Sequence, residues 1–168
     1  GRPGCPSLPR SFMDVQPCYE FNLTQAKKAL ANVPEDIKNK RLAFQFSQMG
    51  GDDISRGMEW AQHQWKKHLG VSVELQPQEQ QVYLRNLGFK PPAIFRKGVG
   101  IDRPTCLAAL EVFTTNGSEN FIQFKNKEYQ KVVEDLGQAQ TKSEKRRLCS
   151  HGIKLLLNNY ALIPLGEI

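Results

Sequence analysis

Three histidines, four cysteines and a scatter of carboxylates are the residues of this 168-residue sequence able to hold a metal or attack a substrate. His63 and His68 lie five apart on one helical stretch, which turns them to different faces, and His151 is remote from both. No spacing gathers them with carboxylates, so they read as surface or packing histidines and no metal site is expected. The sequence has no G-x-S-x-G elbow, no phosphate-binding P-loop and no H-E-x-x-H pair. Gly98-Val99-Gly100 opens like a dinucleotide fingerprint, but Arg103 stands where the third glycine belongs, which argues against a nucleotide site. An enzyme reading has no positive support. No catalytic residue and no cofactor are expected.

Cys5, Cys18, Cys106 and Cys149 form no C-x-x-C pair, which disfavours zinc and thioredoxin-type chemistry. Their even number allows two disulfides in an oxidising compartment, with three connectivities. The local pairing Cys5–Cys18 would close a proline-rich arm. Cys106 and Cys149 fall in predicted helices and would serve equally well as buried free thiols. Asn22-Leu23-Thr24 and Asn116-Gly117-Ser118 are formal glycosylation sequons that matter only in eukaryotic secretion.

Hydrophobic residues make up 39% and charged residues 24%, which excludes a disordered or fibrous chain. A chain of this length forms about one domain and buries roughly two-thirds of its unfolded surface. The longest apolar run, Cys106 to Leu110, is far short of the ~20 residues of a membrane span. No N-terminal stretch has a signal-peptide pattern, and the start at Gly1 reads as a mature product or an excised fragment. Lys and Arg number 23 against 17 Asp and Glu, a formal +6, densest at Lys145-Arg146-Arg147. Such charge could serve nucleic acid or an anionic membrane, but a solvated helix face is the simpler reading. No zinc-finger, homeodomain or RNA-recognition motif accompanies it, so no nucleic acid partner is expected.

The elements that would position functional residues follow from periodicity. Residues 1–21 hold four of the ten prolines and read as an extended arm, leaving 22–168 as a single α/β domain. Asn22 to Asn32 is a short helix with a capping-box-like Asn22…Gln25, ended by Pro34. Leu42–Phe46, Val71–Leu75 and Ala93–Val99 are strand candidates. Between the first two lies a strong helix opened at Asp53. Its stripe of Ile54, Met58, Ala61, Trp65 and Leu69 buries Trp65, exposes Trp60 and is closed by Gly70. Glu79 to Leu87 is a helix stopped by Gly88 and the Pro91-Pro92 pair. Asp102 caps, and Pro104 opens, the stretch Cys106–Phe113. Helices starting at Asn126 and Ser143 follow, and Ala161–Leu165 reads as a closing strand. This order predicts an α/β fold with a mainly parallel sheet flanked by helices. Ligands in such folds bind beyond the strand carboxyl ends, here Gln48–Asp53, Gln76–Glu79 and Gly98–Asp102.

The run from Glu59 through Gln64-Trp65-Lys66-Lys67-His68-Leu69-Gly70-Val71-Ser72-Val73-Glu74-Leu75 resembles the helix–strand passage of periplasmic solute-binding proteins of the oligopeptide/dipeptide family (solute-binding protein family 5). That family's typical run is "Q-W-K-K-x-L-G-V-x-V-x-L". Thr24–Leu30, Gln81–Leu84, Leu110–Phe113 with Asn120, Phe124–Tyr129, Lys145–Arg147 and Ile163–Leu165 resemble further family segments in the same order. The resemblance implies one lobe, the C-terminal one, of a two-lobed type II periplasmic-binding-protein fold. It further implies a periplasmic or extracytoplasmic location, free or anchored through a part outside this sequence. By the same resemblance, the partners are a small solute such as a peptide, an ABC permease of the inner membrane, and the missing N-terminal lobe.

In peptide-binding members a glycine–tryptophan–x-x-aspartate loop follows this lobe's third strand, and its aspartate anchors the ligand's free amino group. Aligned from the strand side, Arg96, Gly98 and Asp102 match, Val99 replaces the tryptophan, and a two-residue deletion falls before Pro104. Aligned back from Pro104 without a gap, Gly100 takes the aspartate's place and no anchor remains. The ligand-binding candidates are therefore Arg96, Gly98, Val99, Gly100 and Asp102, with Asp102 alternatively a helix cap. The leading expectation is a transport receptor lobe. The alternative is a ligand-sensing or interaction module of the same fold in a regulator, toward which the +6 charge leans weakly.

Overall fold

The structure, a computed structural model, describes residues 8–14, 17–38 and 40–164. The chain divides into two compact units: Phe21–Gly98, and Val99–Ile168 together with Gly1–Glu20.

The Phe21–Gly98 unit is built on a sheet. Helix α1 (Leu23–Ala31) starts where the Asn22 side chain accepts the Gln25 N–H at 2.9 Å, satisfying a donor that the first turn leaves free. A one-turn helix α2 (Glu35–Lys38) leads into β1 (Leu42–Ser47). Helix α3 (Gly51–Leu69), β2 (Val73–Gln78), α4 (Gln80–Phe89) and β3 (Ile94–Phe95) follow. The strands pair in parallel in the order β2-β1-β3, with Phe44 opposite both Leu75 and Ile94. The three expected strand segments are thus neighbours in one parallel sheet. Alternation along β1 and β2 sends Phe44, Phe46 and Val73 to one face, where Met58, Ile54 and Trp65 of α3 pack on them. The Trp65 ring stands 5.9 Å from that of Phe44 and is half-buried, while Trp60 is 67% exposed.

Several boundaries in this unit differ from the sequence expectation: α3 starts at Gly51, ahead of Asp53, and β1 and β2 run on to Ser47 and Gln78. Strand β2 starts at Val73, not Val71, because the end of α3 uses the intervening backbone. Gly70, at φ 69°, donates to the Lys66 carbonyl and Val71 to that of Trp65. Helix α4 passes through Gly88; Lys90 N–H still reaches the Asn86 carbonyl at 2.8 Å, and Pro91-Pro92 end it. Strand β3 keeps two residues of the expected Ala93–Val99, Ile94 and Phe95, which pair with Phe44 and Gln45.

The second unit is helical: α5 (Cys106–Glu111), α6 (Lys127–Gln138) and α7 (Lys142–Asn158). The Asn126 side chain accepts the Tyr129 N–H at 2.9 Å, and the α6 stripe Tyr129, Val132, Val133 and Leu136 is buried against Leu148, Ile153 and Leu156 of α7. Cys106 and Cys149 are joined by a disulfide with Cα atoms 6.0 Å apart, which excludes the free-thiol alternative. Helix α7 starts at Lys142 with Thr141 as its cap, rather than at Ser143. The T-x-x-E pattern Thr141…Glu144 places the threonine oxygen on the Glu144 N–H at 3.2 Å. Residues 161–164 form no strand, because Ala161 N–H is taken by the Leu156 carbonyl as the helix closes; Leu165 lies outside the described residues.

The arm lies on α7. Arg146 holds it by donating to the Met13 carbonyl at 3.0 Å and standing 3.1 Å from the Asp14 carboxylate. The Tyr19 hydroxyl donates to the Leu157 carbonyl at 2.5 Å. Cys18 is disulfide-bonded; the Cys5–Cys18 pairing involves Cys5, outside the described residues.

Candidate functional site

The candidate residues follow β3 and fall in both units. Arg96 and Gly98 close the sheet unit; Val99, Gly100 and Asp102 open the helical one. Chain continuity joins the two sets.

On the sheet side, Arg96 N–H donates to the Gln45 carbonyl at 3.0 Å, one rung beyond the last strand pair. Its own carbonyl accepts the Tyr83 hydroxyl, so α4 fixes the point where the chain leaves the sheet. Burial pushes the Tyr83 phenol up to about 12, against the opposing pull of the Arg96 charge. Gly98 is exposed, and its carbonyl accepts the Lys97 ammonium at 2.8 Å.

On the helical side, Val99, Gly100 and Asp102 are all exposed. Asp102 does not cap α5, contrary to that alternative. Thr105 does so: its backbone is extended, at φ −126° and ψ 150°, and its hydroxyl oxygen accepts the Ala108 N–H at 3.2 Å. Pro104 therefore precedes the cap instead of sitting in the first turn. Among the described residues the Asp102 carboxylate has no hydrogen bond or ion pair, which leaves both oxygens free to accept from a ligand.

A row of polar groups in the carboxyl half of the sheet escaped the sequence reading. Gln45 donates to the Gln76 side chain at 3.0 Å on the neighbouring strand, and Asn86 of α4 donates to Gln78 at 2.9 Å. The Gln45 side-chain oxygen is buried without a partner among the described residues. The alternation Phe44-Gln45-Phe46 carried the signal, since it turns Gln45 to the face opposite the aromatic core.

Two residues of the family-like segments have structural work. Asn120 clips its loop shut by donating to the carbonyls of Thr114 and Phe124 at 2.9 and 3.0 Å and accepting the Phe124 N–H at 2.9 Å. The buried Tyr129 hydroxyl donates to the Leu110 carbonyl at 2.6 Å, and burial raises its pKa. His151 stands 3.1 Å from the Glu128 carboxylate. Among the described residues, no group of three His, Cys, Asp or Glu side chains could hold a metal ion. A cleft of about 370 Å³ between α6 and α7, lined by Asp135, Gln138, Gln140, Glu144 and Arg147, includes none of the candidate residues.

No family model matches the chain. The oligopeptide-binding protein OppA of Bacillus subtilis (strain 168) is 37% identical over 135 residues, which is 80% of this chain and 24% of that protein. Among solved structures, the Escherichia coli murein tripeptide binding protein MppA superposes with a TM-score of 0.77 at 23% identity, over 85% of this chain and 28% of that one. The periplasmic oligopeptide-binding protein OppAIV of Borrelia burgdorferi does so at 0.78 and 20% identity, over 94% and 31%. The chain thus spans about a quarter to a third of the relatives it matches. The structures show the fold: one lobe of a periplasmic-binding-protein architecture, with a small parallel sheet flanked by helices. In sequence and fold the chain matches the oligopeptide/dipeptide solute-binding proteins over part of their length.

Proposed function

We infer that residues 22–168 form one lobe of a solute-binding protein that captures a peptide or other small polar solute between two lobes and hands it to an ABC permease. The observation that carries this reading is the 37% identity to an oligopeptide-binding protein over 80% of the chain. Binding without covalent chemistry agrees with the absence of any catalytic motif in the sequence. Capture by closure of two lobes on a hinge encloses most of a ligand's surface, which one wall cannot do alone.

Within this reading Asp102 receives the ligand's ammonium, a charge-assisted bond that strengthens as closure removes water. Its unpartnered carboxylate and the assignment of the helix cap to Thr105 support that role. Val99 and Gly100 lead into Asp102 within the same unit, and Arg96 and Gly98 are the candidates that end the sheet unit just before them in the chain. Val99 offers less flat surface than the tryptophan it replaces, so the proposed solute is a peptide or other small polar molecule and not a peptide alone. The Cys106–Cys149 disulfide supports an extracytoplasmic location, because cytosolic thiols are kept reduced.

Native mass spectrometry of the full-length gene product, as purified, tests the reading. A carried peptide or small polar solute is expected. Absence of any carried solute, together with no calorimetric response to a short-peptide library, would overturn it. The 168-residue piece alone is expected to bind the same peptides far more weakly than micromolar.

A further inference from the structure

The formal charge of the chain is concentrated in the sheet unit. Residues 21–98 hold 12 Lys and Arg against seven Asp and Glu, whereas the remaining residues hold 11 against 10. Parallel pairing then sorts those charges along the strands. Each helix that joins parallel strands must leave from a carboxyl end and return to an amino end. The last turns of α3 and α4, and α2 just before β1, therefore all lie at the amino-end side of the sheet. They bring Lys38, Lys40, Arg41, Lys66, Lys67 and Lys90 to one end of the sheet. The carboxylates at that end are Glu35, Asp36 and Glu74.

Two of these charges are paired with carboxylates and a third is held by a hydroxyl. Lys38 pairs with Glu35 at 2.7 Å, Arg41 pairs with Glu74 at 3.0 Å, and Lys66 donates to the Ser72 hydroxyl at 2.9 Å. Lys40, Lys67 and Lys90 are exposed and have no ion pair among the described residues. Two large apolar side chains stand among them. Phe89, the last residue of α4 and next to Lys90, is 93% exposed, and Ile37, next to Lys38, is 46% exposed. A surface with unpaired lysines around a nearly fully exposed aromatic combines the two attractions of an anionic bilayer. The headgroups draw the lysines, and the headgroup–acyl boundary takes the apolar side chains.

We propose that the amino-terminal end of the β2-β1-β3 sheet is a membrane-docking face for anionic lipid, with Phe89 as its inserting residue and Lys40, Lys67 and Lys90 as its headgroup contacts. The face shares no residue with the Arg96–Asp102 loop, so the proposal does not depend on the identity of any solute. A nucleic acid would satisfy the lysines, but it has no use for the aliphatic Ile37 or for insertion of Phe89 beyond base stacking.

Sedimentation of the 168-residue chain with vesicles tests the assignment, using equimolar phosphatidylglycerol and phosphatidylcholine against phosphatidylcholine alone. Binding to the anionic vesicles only is expected, weakening as salt rises. Each lysine near an anionic surface is worth roughly fivefold, so K40Q/K67Q/K90Q should bind about a hundredfold more weakly. F89S leaves the charge unchanged and should bind about tenfold more weakly. All four side chains are exposed, so the variants should retain the parent circular dichroism. No binding to anionic vesicles at low salt would overturn the proposal, as would triple-variant binding equal to the parent. Unchanged binding by F89S, or tighter binding to duplex DNA than to the vesicles, would overturn the lipid assignment in favour of a merely electrostatic face.

Discussion

Replacing both cysteines of the Cys106–Cys149 bridge by alanine removes a cross-link that closes a 43-residue separation between α5 and α7. The chain-entropy relation assigns a loop of that size about 4 kcal/mol of restriction on the unfolded state. Both sulfurs also sit in the core of the helical unit, with Cys149 0% and Cys106 8% exposed, so their truncation adds a packing loss. Against a typical total of about 5–15 kcal/mol, the C106A/C149A variant should lose a large part of its stability. Its urea midpoint for that unit should fall by roughly 2 M. The two units supply separate probes. Trp60 and Trp65 lie in the Phe21–Gly98 unit, and the bridge lies in the other. Hydrogen exchange of the α6 and α7 amides should accelerate, while the tryptophan-reported transition stays near its parent midpoint. Direct reduction is a poorer perturbation because Cys18 is disulfide-bonded as well. A loss below about 1 kcal/mol would refute the unfolded-state argument. An equal shift in the tryptophan transition would show that the two units unfold as one.

Three further outcomes are expected. Asp102→Asn in the full-length protein should cost on the order of 2 kcal/mol of ligand binding by calorimetry with little change in Tm, whereas Thr105→Ala should cost about 1 kcal/mol of stability and leave affinity intact; unchanged affinity in the Asn variant would remove Asp102 from the site and favour the alignment with Gly100 there. Gly152→Ala would place a Cβ 2.5 Å from Leu110 Cδ1 in the helical core, so the about 1 kcal/mol that alanine gains over glycine inside a helix should be offset by overpacking of about 1–3 kcal/mol, and thermal unfolding that shows the full gain of about 1 kcal/mol would contradict the packing described. The Tyr83 phenol is raised from 10.0 to about 12, so the folded state retains its proton where the unfolded chain has lost it. The resulting stability is complete below about pH 10 and is lost as pH rises through 10 toward 12, and Tyr83→Phe should flatten that alkaline fall in a urea series; an unaltered pH slope would count against the burial argument.

The helix starts at Asn22 and Asn126 and the α3 stripe were legible in the sequence because their causes lie within one or two turns. A side-chain oxygen three residues from its N–H partner, or an apolar residue every three or four positions, needs no tertiary context. The parallel sheet was legible to the extent that alternation marks a strand and an intervening helix forbids a hairpin. Where two local signals competed, the sequence did not decide. Asp102 and Thr105 both have capping side chains, and only the extended backbone at Thr105 and its bond to Ala108 separate them. The same holds for Thr141 over Ser143, and for Gly70, whose cap shortens the strand that follows it.

The remaining features rest on contacts between residues far apart in the chain. Pairing of Cys106 with Cys149, rather than two buried thiols, depends on α5 and α7 meeting in one core. Arm residues 8–14 and 17–20 join the helices beyond residue 99 rather than the sheet that follows them, because α7 offers Arg146 to Met13 and Asp14 and the Leu157 carbonyl to Tyr19. Concentration of lysines at one end of the sheet is likewise invisible along the sequence, where Lys40, Lys67 and Lys90 are scattered. Periodicity records which face of an element is apolar; it does not record which distant face will cover it. That choice is made by the burial and hydrogen bonding of the folded chain as a whole.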